Sequence, residues 1–423
     1  MTYYIDPQNG NDKAEGTNES APLKTIAGRT FRPADSVLFK RGSVIRGALK
    51  LCDGDETGYI TYGAYGQGPD PVINLSLDAG KAALWTESSP GVWRFLGAVD
   101  GDVCGIVFNG GSSFGGLRWS KGQLLSQGSY YFSAYDKDEA KRTPAELYLA
   151  SAGNPAEVYQ SIELLTKKER GAVMGRRYII FEHFTVEKTG IHGYTTDFAD
   201  HVHIRNCLFQ YIGGAMFDLS RNLRYGNAVE FWNGAQDCVV EHCVFRDIYD
   251  SAVTHQGEFG KSAVPERFRI HSNVFLHCGL CAYEWRGPSS KDIVVENNVF
   301  MEAGGPFSLQ GEPTRIHEIP GVPPGCHDGW FILIWFLEDE LPPGEIYCTI
   351  RNNVFAGVPR AGAAIMSVID EKYRDQFIID GNVYRQRSGL FATHFYGRTY
   401  REDQLAEYTA LTGYDTAGCF LLG

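Results

Sequence analysis

The chain has 423 residues, 43% hydrophobic and 21% charged, which suits a packed globule of one large repetitive domain or two ordinary ones. A net charge of -12 excludes bulk attraction to nucleic acid, and it makes a strongly anionic polysaccharide an awkward partner unless a local basic patch meets it. No apolar run approaches a membrane span; the nearest, WFILIWFL from Trp330, is far too short.

The amino terminus, MTYYIDPQNGNDKAEG, has no basic n-region and no apolar h-region. A cytoplasmic protein is therefore expected, unless a leader lies outside this sequence. Residues 1–77 read as a cap and the first strands. Residues 78–165, with Trp85, Trp93, Trp119, Gly-rich turns and ELYLASAGNPAEVYQSIEL, read as short antiparallel strands. A small, sandwich-like β-rich insertion is expected there, with irregular loops as the alternative. Residues 166–423 form the main body.

That body repeats a phrase: IRNCLF at 204, VEHCVF at 240, IHSNVF at 270, VENNVF at 295, IRNNVF at 350 and IDGNVY at 379. Cys207, Cys243, Asn273, Asn298, Asn353 and Asn382 mark one slot in it, and Phe184 takes the same slot earlier. The shortest steps, 23 and 25 residues, are solenoid spacing, with longer steps where loops are inserted. Apolar and polar residues alternate within the phrase, as in a strand. Short strands, Gly-rich turns and this period predict an all-β parallel β-helix in which Asn side chains stack as a ladder. The ten cysteines are scattered, two of them inside the phrase, and read as reduced core thiols, Cys278 and Cys281 included.

A second strand follows each marker: NAVEFWNG at 227, SAVTHQG at 251, CAYEWRG at 281 and PFSLQG at 306. Aligning them makes Glu230, Thr254, Glu284 and Leu309 equivalent.

These features resemble right-handed parallel β-helix carbohydrate-active enzymes, above all β-helical glycosidases with a β-sandwich inserted near the amino-terminal end, of the β-xylosidase and α-L-fucosidase type. The resemblance rests on the opening segment, LYLASAGNPAEVY and EFWNGAQDCVVEHCVFRDIYDSAVTHQG. It implies a right-handed coil acting on carbohydrate. The paired aspartates and Gly-His-Gly turn of polygalacturonases are absent, so pectin hydrolysis is not carried over.

Equivalent strand positions in a coil stack about 4.8 Å apart. Glu230 and Glu284 would then project from one outer face with backbones roughly 9–10 Å apart, leaning towards the carboxyl spacing of inverting glycosidases. His255, Gln256 and Asp250 belong to the intervening rung; a His or Gln there could hold a sugar hydroxyl or shift a carboxylate. Catalytic candidates are Glu230, Glu284, Asp250 and His255. Trp232, Trp285 and Arg286 flank the pair and suit a pyranose face and its hydroxyls. The excursion from Gly311 to Tyr347, carrying His317, His327, Asp328, Trp330 and Trp335, is expected to wall the cleft. Gln310 and His394 complete the substrate-binding candidates. Asp218 competes with Glu230 for the stacked place, being as far beyond Cys207 as Glu284 is beyond Asn273. The plain alternatives are a solvated charge ladder for the two glutamates, a satisfied core histidine for His255, and packing for Trp330 and Trp335. His201-Val-His203 lacks a third ligand, so no metal and no cofactor is expected. The function expected is glycoside hydrolysis of oligosaccharides or polysaccharide side chains, with a polysaccharide lyase or a non-catalytic carbohydrate-binding protein as alternatives.

Overall fold

A computed structural model of the chain describes residues 1–258, 261–287, 290–310, 329–337, 345–357, 365–367, 371–386, 390–395 and 398–421. Two long sheets dominate, one of nineteen strands and one of ten. The described pairings in both are parallel, apart from the terminal pair Leu390–Phe395 and Arg398–Arg401. Each strand pairs with its counterpart one repeat later, so the repeats are rungs.

The repeated phrase is the corner between the two sheets. In IRNNVF, Ile350 is buried near the end of the strand Cys348–Arg351 of the larger sheet, while Val354 and Phe355 open a strand of the smaller one. The residue between, Asn352, has φ 55°, and its counterparts His183, Asn206, His242, Ser272 and Asn297 lie between 52° and 59°. Left-handed backbone is cheapest for Asn, Asp and His among side-chain-bearing residues, which explains the Asn and His found there. The marker residue then points inward. Asn298 donates its Nδ2 to Asn353 Oδ1 (3.1 Å) and to the Ile270 carbonyl (2.9 Å), and the Asn273–Asn298 and Asn353–Asn382 steps repeat this. Asp415 ends the ladder, accepting from Asn382 Nδ2 (2.9 Å) and the Tyr384 hydroxyl (2.7 Å). The last residue of the phrase stacks as well: successive rings from Phe209 to Phe420 lie 4.9–5.2 Å apart and within 25° of parallel. A ring spacing so close to the strand spacing lets one aromatic per rung fill the interior without a void.

Between Asn74 and Gly171 the chain leaves the rungs. It forms a four-stranded sheet that includes Asp102–Phe108 and Ile162–Lys167, and a five-stranded sheet that includes Ser129–Phe132 and Leu147–Ala150. The two share one apolar core of Trp85, Ile106, Phe108, Tyr130, Leu149 and Leu164 among others.

One rung is not where the sequence alignment put it. Residues 306–310 of PFSLQG form a turn and not a strand, and Leu309 is 37% exposed. The rung after CAYEWRG is supplied by Trp330–Leu337, so it is Leu333 that pairs with Glu284. WFILIWFL is thus a rung of the stack and not part of a loop wall. Its long apolar run fits a strand covered on both faces, which period-2 reading cannot distinguish from a packed loop. No helix of the described residues is long and apolar enough to cross a membrane. The nine described cysteines are free thiols.

Candidate active site

Six strands of the larger sheet build the site: β1 (Gly171–Met174), β2 (His192–Arg205), β3 (Val229–Gln236), β4 (Val253–Gln256), β5 (Cys281–Gly287) and β6 (Trp330–Leu337). Their register lines up Thr195, Glu230, Thr254, Glu284 and Leu333 in one column. The neighbours Val229, Phe231, Val253, Tyr283, Ile332 and Ile334 belong to the interior core, so the column faces outward. Glu230 and Glu284 therefore share a face with one rung between them, which sets their backbones about 9–10 Å apart. Asp218 does not compete for this place. It sits in the two-stranded hairpin Ala215–Asp218/Leu223–Tyr225 and accepts from Ser220 and Arg221 in its turn. That hairpin is the insertion that makes the sequence distances ambiguous.

The two carboxylates are buried although they face outward: Glu230 is 6% exposed and Glu284 1%. Each is oriented by the residue three places before a column member. Ser251 donates its hydroxyl to Glu284 Oε2 (2.7 Å), and its backbone N–H donates to Asn227 Oδ1 (3.1 Å). The Asn227 amide is thereby turned so that Nδ2 donates to Glu230 Oε1 (3.4 Å). Glu230 Oε2 accepts from the Thr195 hydroxyl (3.0 Å) and faces His192 Nε2 (3.2 Å). The Asn227 backbone N–H donates to His192 Nδ1 (3.1 Å). That nitrogen must then be bare, so the ring proton is on Nε2 and points at Glu230. The pair is thus a neutral imidazole donating to a carboxyl, and not an ion pair. Burial drives both towards their neutral forms: it lowers His192 to about 3 and raises Glu230 to about 7, the latter against hydrogen bonding from Thr195 and the charge of Arg170. Asp250 adds a third carboxylate at the corner before β4. It accepts from the Gly226 N–H (3.2 Å), and its charge pushes Glu230 further up. Thr254, between the two glutamates, is fully buried, and its hydroxyl has no hydrogen-bond partner among the described residues.

A second outward column runs beside the first: Asp197, Trp232 and Gln256, with Arg286 pairing on to Trp335. Trp232 is half-buried, Arg286 is exposed, and its Nη1 donates to Gln256 Oε1 (3.5 Å). These three lie in the outward column next to that of the carboxylates. His255 and Trp285 do not. Both belong to the inward series with Phe231, and His255 is 1% exposed with its Nε2 2.8 Å from the Tyr283 hydroxyl. Their sequence neighbours Thr254 and Glu284 occupy the outward places, and a strand cannot turn adjacent side chains to one face. Burial lowers His255 to about 3, so it stays neutral on the inward face of the larger sheet. Trp330 is buried. Gln310 is buried in the turn after residue 305, over Gly105 of the insertion. Trp335 and His394 lie on strands; their side chains, and His317, His327 and Asp328, lie outside the described residues.

His192, Thr195, Asn227, Ser251 and Arg170 were not singled out from the sequence. The signal for two of them was present: NAVE, SAVT and CAYE share a small polar residue, then Ala, three places before the column. Arg224 is a further surprise. Fully buried, it donates to the carbonyls of Gly214 (2.8 Å), Cys104 (2.7 Å) and Gln310 (3.2 Å), tying hairpin, insertion and turn together. Elsewhere, ligand atoms of Asp200, His201 and Asp237 converge. Arg177 and Arg267 already engage both carboxylates, which disfavours a cation there.

No protein-family model matches the sequence, and no curated protein matches it either. Solved structures resemble its fold. A protein described as "Glycoside hydrolase" is 11% identical over 99% of this chain and 95% of its own, with a TM-score of 0.54. XylC in complex with xylose is 12% identical over 93% and 86%, with a TM-score of 0.39. Pectate lyase Pel9A is 13% identical over 91% and 69%, with a TM-score of 0.41. At such identities the likeness is one of fold, and of these three the first carries it.

Proposed function

We propose that the chain is a glycoside hydrolase built on a right-handed parallel β-helix, with Glu230 as general acid and Glu284 as general base. The observation that carries this is the single outward column holding two carboxylates in unequal surroundings, one rung apart. A buried Glu raised to about 7 keeps a proton to give to a leaving oxygen at neutral pH. Oε2 of Glu230 already takes two donors, so its proton belongs on Oε1, directed away from them. Glu284, bonded by Ser251, would draw the proton from a water that the otherwise unpartnered Thr254 hydroxyl helps to hold. The column spacing of about 9–10 Å favours inversion. Trp232 supplies an apolar face, and Gln256 and Arg286 supply donors for sugar hydroxyls. The fold likeness to a protein described as "Glycoside hydrolase" supports a carbohydrate substrate.

The lyase alternative has Arg286, His255 and Tyr283 as candidates for its base and its carboxylate-binding cation; His255 and Tyr283 face inward, which leaves Arg286 alone on the outward face and weighs against it. The test is a screen of aryl glycosides and oligosaccharides with the wild type beside Glu230→Gln and Glu284→Gln. Sugar released by the wild type and lost by at least 10²-fold in both variants is expected. Undiminished turnover in either variant, or an unsaturated product, would refute the assignment.

A further inference from the structure

The hairpin Ala215–Asp218/Leu223–Tyr225 carries the most exposed aromatic ring among the described residues, Phe217 at 61%. Adjacent residues of a strand face opposite ways. Here Met216 is buried in the apolar core of the insertion while Phe217 turns out to solvent. Phe217 stands edge-on to Tyr225 (centroids 5.2 Å apart, 72°), and Tyr225 stands edge-on to His192 (5.3 Å, 75°). His192 Nε2 in turn lies 3.2 Å from Glu230 Oε2. A line of rings thus runs from open solvent to the carboxyl assigned as general acid.

The line is fixed from behind. Gly213 (φ 103°) and Gly226 (φ 140°) pinch the hairpin at its neck, where a Cβ on Gly226 would lie 2.3 Å from the Gly213 Cα. Arg224 holds it through three carbonyls, and Lys137 of the insertion donates to the Leu219 carbonyl (2.9 Å) and to the Asn222 side chain at its tip. Asp218, beside Phe217, is taken up by its own turn. Lys167 is half-buried with its ammonium 5.3 Å from the Tyr225 ring centroid. It forms no ion pair among the described residues, although Asp102 on the paired strand feels its charge. An ammonium beside an aromatic face suits a ring that carries hydroxyls. The side of approach is also defined. His192 belongs to the rung of Thr195, which precedes that of Glu230, so the rings reach Glu230 on the side away from Glu284. In an inverting pair the cleaved sugar lies between the two carboxyls, and the leaving group departs on the side of the acid.

We propose that this hairpin is the leaving-group subsite, with Phe217 and Tyr225 taking the apolar C–H face of the departing unit. The substrate is then a glycoside whose leaving group is itself a sugar ring. The inference rests on the hydrolase reading of Glu230 and Glu284, and its test separates the two. The full-length chain is assayed on matched pairs, a disaccharide and a glycosyl fluoride of xylose, glucose, galactose or mannose in both anomers. Fluoride departs without filling the subsite. Phe217→Ala should raise KM for the disaccharide, relative to that for the fluoride, by about tenfold. Phe217→Tyr, which keeps the ring, should hold that ratio within about threefold of the wild type. The alkaline limb of kcat should stay in place in both variants, which an effect passed through His192 to Glu230 would not allow. Phe217 is exposed, so the melting temperature should follow the wild type and the loss is not one of folding. An unchanged ratio in Phe217→Ala overturns the subsite while the hydrolase reading stands, as do an equal rise in Phe217→Tyr and hydrolysis of fluorides alone. Hydrolysis of no member of any pair overturns the hydrolase reading and the subsite with it.

Discussion

Replacing Glu230 by Gln isolates one titration from the rest of the protein. The amide approximates the protonated acid: its oxygen can accept from Thr195 and His192 where Oε2 does, while its NH2 at the Oε1 place loses the donation from Asn227 Nδ2, a cost that does not vary with pH. Burial raises Glu230 from an ordinary 4.5 to about 7. The folded state therefore binds this proton more tightly than the unfolded chain. Below pH 4.5 both states are protonated, and the difference between the two proteins stays constant. As pH rises from 4.5 to 7, the wild type progressively loses stability that the Gln variant keeps. A shift of that size corresponds to about 3 kcal/mol above pH 7. For a chain of this length the unfolding entropy turns that into a melting temperature about 3–4 °C higher for the variant. Calorimetric melts of both proteins at half-unit steps from pH 4 to 8.5 give the difference curve, and other groups cancel because they are common to both. A difference that does not change with pH would refute the claim that this carboxyl is held neutral by burial.

Four more outcomes are expected. Thr195→Val removes a donor to the Glu230 carboxylate (3.0 Å), so the alkaline limb of kcat/KM should move up by about one unit, since hydrogen bonds to charge contribute roughly 1.5–3 kcal/mol; a full pH profile checks it. Thr254→Val should lower kcat by about tenfold with KM nearly constant if, as proposed, its hydroxyl holds the attacking water and not the sugar; steady-state kinetics on an aryl glycoside decide. His255→Phe should leave kcat/KM within about twofold, since the ring faces the interior with Phe231 and Trp285. Asn298→Ala removes two side-chain donations and two acceptances inside the coil and should cost about 2–4 kcal/mol, read from urea unfolding.

The rungs were legible because one phrase states the whole corner: an inward Ile, a left-handed Asn or His, an inward Asn and a stacked Phe. Glu230 and Glu284 were legible because they alternate with Val, Phe, Tyr and Trp. The same alternation places Trp285 and His255 inside, and their appeal as sugar-binding and acid–base types obscured it. PFSLQG was misread because its mix of apolar and polar residues satisfies a strand pattern, although residues 306–310 form a turn. The distance it set aside was filled by WFILIWFL, whose unbroken apolarity hid the period. His192 acts on Glu230 from another rung and carries no motif, whereas Asn227 and Ser251 stood in a repeated pattern, a small polar residue followed by Ala, that only the hydrogen bonds made meaningful.

The Asn spine has an implication for how the molecule can change. The same amide bond of 3.1 Å joins markers 25, 55 and 29 residues apart. Lengthening a connection from 25 to 55 residues adds only about 0.7 kcal/mol of closure entropy, while the inner edge keeps its register. Segments on the opposite side can thus grow, shrink or be exchanged with little penalty, and new specificity can be grafted onto an unaltered backbone of amides and rings.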